Sequence, residues 1–132
     1  MHSQEIRTRP IVLIAEDDRA RAENMRLVLE ADFAVDLANG RSDILTHVRN
    51  IRPDVLVMDT QIPRLDALAA CRALRNDPST AETPIIMVTD TPTVDVMSAA
   101  FDAGATDCLA WPFSSSQLRA RASTCLMRRR AS

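Results

Sequence analysis

Short, continuous apolar runs punctuate the chain, and between them apolar residues recur every three or four positions. Ile11 to Ala15, Val55 to Met58 and Ile85 to Val88 have the form of strands buried on both faces. Ala34 to Ala38 and Asp107 to Ala110 read as two further short strands. The intervening segments have helical periodicity. Residues 19–31 predict a helix with Met25, Val28 and Leu29 inward and Arg21, Glu23 and Glu30 toward solvent. Ser42 is placed to cap a second helix running to about Asn50, with Ile44, Leu45 and Val48 inward. Two more helices are predicted over 65–75 and 93–103, the latter closed by Gly104 as its C′ residue. Ser114 to Ser116 offer caps for a last helix reaching about Arg129. Asn39-Gly40, Pro53-Asp54 and Asn76-Asp77-Pro78 are the turns and breaks between these elements.

Strand and helix thus alternate five times. Short apolar strands joined by helical crossovers predict an α/β domain, a single doubly wound, five-stranded parallel sheet with five helices. Residues 1–9 read as a flexible N-terminal lead-in, 10–130 as the domain and 131–132 as a tail. Neither a repeat nor a second domain is evident.

Composition narrows the function. At 132 residues, 46% hydrophobic and only 3% aromatic, the chain can build one core, mostly from aliphatic side chains. A net charge of −2 gives no electrostatic case for nucleic acid or an anionic membrane. No apolar run approaches the ~20 residues that span a bilayer. Cys71, Cys108 and Cys125 form no CxxC pair and no metal-ligand spacing, so they read as reduced, buried thiols in a cytoplasmic protein. All 16 basic residues are Arg. The only glycines, Gly40 and Gly104, form no phosphate-binding loop, which argues against a nucleotide or flavin enzyme of doubly wound type.

Ligands of an open parallel sheet bind beyond the carboxyl ends of its strands. The first strand ends at Glu16-Asp17, the third at Asp59 and the fourth at Thr89-Asp90. Carboxylates from three strands therefore converge on one edge. Two such charges about 4 Å apart repel by about 4 kcal/mol in an effective dielectric of about 20. A cation relieves that repulsion, and an all-oxygen set suits a hard one such as Mg2+.

Ile11 to Asp18 (IVLIAEDD), Pro53 to Asp59 (PDVLVMD), Gln61-Ile62-Pro63, Pro84 to Thr89 (PIIMVT) and Gly104 to Asp107 (GATD) resemble the successive landmarks of the response-regulator receiver family. The similarity runs from about Ile11 to Arg129. It implies a flavodoxin-like fold with strand order 2-1-3-4-5. It also implies roles for individual residues. Asp59 would accept a phosphoryl group from a sensor histidine kinase or phosphotransfer protein. Asp17 would be the principal Mg2+ ligand, with Glu16 beside it or acting through water. Gln61 would offer its backbone carbonyl to the metal, and Thr89 would be the switch hydroxyl.

The sequence departs from the family pattern at three positions. Trp111 stands where the family has a lysine that reaches the phosphoryl group, and indole has no charge and one donor. Arg64, just after Pro63, is a candidate source of replacement charge. Asp90 follows the switch hydroxyl where a small residue is usual. Cys108 replaces an aromatic, Tyr or Phe, that turns inward on activation. Two readings follow. In one, the chain is a phosphorelay receiver with an altered switch and no enzymatic activity beyond its own phosphorylation. In the other, it is a phosphorylation-independent pseudo-receiver, a protein-interaction or dimerisation module. The retained Glu16, Asp17, Asp59 and Thr89 favour the first.

Receivers commonly signal through the face of the fourth helix, fifth strand and fifth helix, here including Val94, Met97, Ala100, Asp107, Gln117, Arg121 and Cys125. The resemblance makes that face a candidate homodimer interface. Leu118 to Arg130 resembles the connector of receivers fused to diguanylate cyclase domains, although no such output domain lies within these residues.

Overall fold

The structure, a computed structural model, describes residues 9–38 and 43–131. Five strands, β1 (Ile11–Ala15), β2 (Ala34–Ala38), β3 (Val55–Asp59), β4 (Ile85–Thr89) and β5 (Asp107–Ala110), alternate with five helices. The helices are α1 (Arg19–Leu29), α2 (Ile44–Ile51), α3 (Ala67–Asn76), α4 (Val94–Ala103) and α5 (Ser115–Ala131). All strand pairs are parallel and the order is β2-β1-β3-β4-β5, as expected from the sequence and its family resemblance.

The period-2 geometry of strands divides the core in two. Leu13, Leu56, Met58, Ile85 and Met87 face α2, α3 and α4, against Val48, Cys71 and Leu74. Val12, Ile14, Val55, Val57, Ile86 and Val88 face α1 and α5, against Met25, Leu29, Leu118 and Cys125. The continuous apolar runs of β1, β3 and β4 therefore serve both layers at once. All three cysteines are free and buried.

Helix starts show where local chemistry overrode periodicity. Asp18 caps α1 by accepting from the Arg21 N–H at 3.0 Å. Asp43 caps α2; Ser42 and the Asn39-Gly40 turn lie outside the described residues. The third helix begins at Ala67 rather than Leu65, because Asp66 accepts from the Ala69 N–H and fixes the start. Ser114 and Gln117 exchange bonds at the start of α5, with Gln117 N donating to Ser114 Oγ and Ser114 N to Gln117 Oε1, a reciprocal cap. The first helix ends at Leu29, short of residue 31, with Glu30 as its C-cap.

Candidate functional site

The carboxyl ends of β1, β3 and β4 open on an acidic cleft of about 410 Å³. Glu16, Asp17 and Asp18 enter it from the end of β1, and Asp59, Gln61 and Pro63 from the end of β3. Asp90 enters from beyond β4, and Arg21 from the first turn of α1. Parallel register brings these strand ends together: Ala15 pairs with Met58, and Asp59 with Val88. Asp59 is only 3% exposed and Glu16 only 7%.

One oxygen of Asp59 is already engaged: Oδ1 accepts from the Gln61 N–H at 2.9 Å. Oδ2 faces Arg21 Nη1 at 3.8 Å. Glu16 Oε2 accepts from the N–H groups of Asp17 and Asp18 at 2.9 and 3.2 Å, whereas Oε1 is buried without a hydrogen-bond partner among the described residues. Burial, reinforced by the adjacent Asp59, pushes the Glu16 carboxyl up to about 8.

That orphaned oxygen bears directly on metal binding. A buried carboxylate oxygen facing another carboxylate needs a proton or a cation between them. All donors at the cleft are oxygen, as a hard divalent ion prefers. Among the described residues, no three acidic, His or Cys side chains are gathered into a ready-made metal cage. Mg2+ does not require one, since it is commonly held by one or two carboxylates and retains waters. The residues fit such an ion.

Thr89 is buried, and its Oγ accepts from the Thr91 N–H at 3.0 Å. Its hydroxyl proton is left for another acceptor. Trp111 is tied to the same residue through its backbone N–H, which donates to the Thr89 carbonyl. A cis peptide joins Trp111 to Pro112. Cys108 is buried beside an apolar cavity of about 440 Å³ between the start of α3 and α4, lined also by Leu65, Val96 and Ala100.

Arg21 is the residue that sequence reasoning missed. Helical periodicity assigns it to solvent, yet its guanidinium turns into the cleft. It meets Asp90 through Nη2–Oδ1 at 3.0 Å and Nη1–Oδ2 at 3.3 Å, and lies 4.6 Å from the Trp111 ring centroid. Asp90 is the leading cause that raises its pKa further. Arg64, by contrast, is exposed, has a left-handed backbone (φ 67°) and does not line the cleft. Of the residues expected on the face of α4, β5 and α5, Ala100 and Cys125 are core rather than surface, at 1% and 2% exposure.

Comparison with known proteins matches this geometry to a family. The family model for the response regulator receiver domain matches residues 12–123. The chain belongs to the response regulator receiver family. Among curated relatives, response regulator MprA of Mycobacterium leprae is 40% identical over 118 residues, covering 89% of this chain and 51% of that protein. The receiver chain thus spans about half the length of the curated relatives it matches. Among solved structures, a response regulator from Chloroflexus aurantiacus J-10-fl superimposes with a TM-score of 0.83 at 35% identity, covering 90% of this chain and 99% of that one. The chemotaxis response regulator CheY4 of Vibrio cholerae gives 0.82 at 26% identity, with coverage of 90% and 100%. The receiver is therefore a signalling domain of two-component systems rather than a conventional enzyme. Among the described residues, no helix is long and apolar enough to cross a membrane.

Proposed function

We propose that this receiver accepts a phosphoryl group on Asp59 from a sensor histidine kinase or phosphotransfer protein in the cytoplasm. The observation that carries the reading is the state of Asp59: it is buried at a strand end, with Oδ1 held by the Gln61 N–H and Oδ2 turned toward the Arg21 guanidinium. In the transfer, a carboxylate oxygen of Asp59 attacks phosphorus in line. The P–N bond to the donor histidine breaks, and the imidazole keeps that electron pair. Asp17, Asp59 and the Gln61 carbonyl would hold Mg2+, with Glu16 beside them, and the ion would neutralise charge on the phosphoryl oxygens. Thr89 would donate its hydroxyl proton to one of those oxygens.

Residues 10–130 make up the functional unit. Its output runs through α4, β5 and α5, where Val94 is 80% and Phe101 47% exposed and Asp107 pairs with Arg121 at 2.9 Å. Exposed apolar side chains next to a polar pair suit a homodimer contact. An output domain such as a diguanylate cyclase would be joined beyond α5.

Incubation with acetyl phosphate and Mg2+ tests the reading. Intact mass should show a gain of one phosphoryl group that is lost in Asp59→Asn. No gain would leave the pseudo-receiver reading, a binding module on the same fold.

A further inference from the structure

Arg21 occupies a position that helix electrostatics disfavour. It lies in the first turn of α1, where unpaired N–H groups already concentrate positive charge and a cation is unfavourable. Its partners come from distant parts of the chain. Asp90 is 69 residues away in sequence and takes both terminal nitrogens of the guanidinium. Trp111 offers its indole face to the same group.

We propose that Arg21 replaces the missing lysine, binding the phosphoryl group formed on Asp59 and giving up Asp90 to do so. The proposal rests on Asp59 being the phosphoacceptor. Among the described residues, Arg21 is the only basic side chain lining the acidic cleft. Its Nη1 is 3.8 Å from Asp59 Oδ2, the oxygen that the Gln61 N–H leaves open. A group attached to Oδ2 falls within reach of that nitrogen.

Two of the departures from the family pattern then have one explanation. Trp111 fills the place of the lysine but not its charge; its ring supports the plane of a guanidinium arriving from α1. Asp90 holds that guanidinium with a two-point contact, the arrangement that two phosphoryl oxygens also present. Arg21 and Asp90 have side chains 34% and 36% exposed. A pair so open to water is weak, so a phosphoryl dianion displaces the carboxylate. Arg21 thereby links the state of Asp59 to Trp111, at the start of the segment leading from β5 to α5.

The test uses beryllofluoride with Mg2+ as the phosphoryl mimic, followed by 19F NMR, with Mg2+ alone titrated calorimetrically. Arg21→Ala should weaken beryllofluoride binding about tenfold or more. It should leave Mg2+ binding unchanged or tighter, because a neighbouring positive charge is gone. The double variant Arg21→Ala/Trp111→Lys should regain part of the beryllofluoride affinity. Wild-type beryllofluoride affinity in Arg21→Ala would overturn the proposal. So would parallel loss of Mg2+ and beryllofluoride binding, which would mean that Arg21 only supports the local structure. A wild-type protein that binds Mg2+ but no beryllofluoride would instead overturn the phosphoacceptor reading itself, and this proposal with it.

Discussion

The guanidinium carbon of Arg21 lies 4.6 Å from the centroid of the Trp111 ring. Trp111 in turn tilts against Phe113, with ring centroids 4.2 Å apart. The stack joins α1 to the segment after β5, two parts of the chain that no sequence periodicity connects. It sets an indole against the cation that lines the acidic cleft.

A half-exposed cation–π contact is worth about 0.5–1 kcal/mol. A double-mutant cycle with Arg21→Ala and Trp111→Leu should return a coupling energy in that range from urea unfolding. Additive effects of the two changes would show that the stack does not persist in solution.

Arg75 should matter far more to stability. Its guanidinium donates from Nε to the Gly104 carbonyl at 2.8 Å and from Nη1 to the carbonyls of Ala81 and Thr83 at 3.0 and 2.6 Å. Nη2 reaches the Thr106 hydroxyl at 3.3 Å. Arg75→Met strips these acceptors of a charged donor and should cost about 2–3 kcal/mol. Gly104→Ala should also destabilise: φ is 112°, and a β-carbon there would come within 2.7 Å of Arg75 Cγ. Both losses are read from urea midpoints at unchanged slope.

These contrasts show which parts of the molecule were legible in the sequence. The strands β1, β3 and β4 were, because a short apolar run such as Val55 to Met58, bounded by Pro53-Asp54 and Asp59, has the length of a doubly covered strand rather than of a helix. Glu16, Asp17, Asp59 and Asp90 were also brought together as expected, since all sit at strand ends and parallel register aligns those ends. Arg21 was not legible. Periodicity sorts a first-turn arginine to solvent, and only the folded sheet brings Asp90 and Trp111 within its reach. The start of α3 was misplaced for a similar reason: Leu65 fits the apolar pattern, but Asp66 supplies the cap. Arg64 looked close to the site along the chain, yet it is exposed in a left-handed turn and lies outside the cleft lining.

Asp77 should set part of the acid stability. It accepts from the Ser79 N–H at 2.9 Å and the Ser79 hydroxyl at 2.8 Å, and pairs with Arg49 Nε at 2.6 Å. These bonds, led by the Ser79 N–H, hold its carboxyl below the usual carboxylate range. The unfolded chain therefore takes up this proton at higher pH than the native one. The contribution is present above the unfolded value of about 4 and is lost as pH falls through the native value. Asp77→Asn should accordingly show a shallower fall of stability with pH in that acidic window, measured by urea titration at a series of pH values. A slope equal to wild type would contradict the assignment.

The cysteines should be inert in the native protein. Burial raises the thiols of Cys71 and Cys108 and pushes that of Cys125 up to about 11. Thiol titration at mildly alkaline pH should find them slow to react until denaturant is added. Fast labelling of Cys108 in the native state would mean that the cavity beside it opens to solvent.

The most direct test of the central claim is to locate the phosphoryl group chemically. After treatment with acetyl phosphate and Mg2+, borohydride reduces an aspartyl phosphate to homoserine, and peptide mass mapping finds the residue changed. The account predicts homoserine at position 59, dependent on Mg2+ and absent without the phosphodonor. An unmodified Asp59 under conditions in which the protein binds Mg2+, or modification at Asp17 or Asp90 instead, would contradict it.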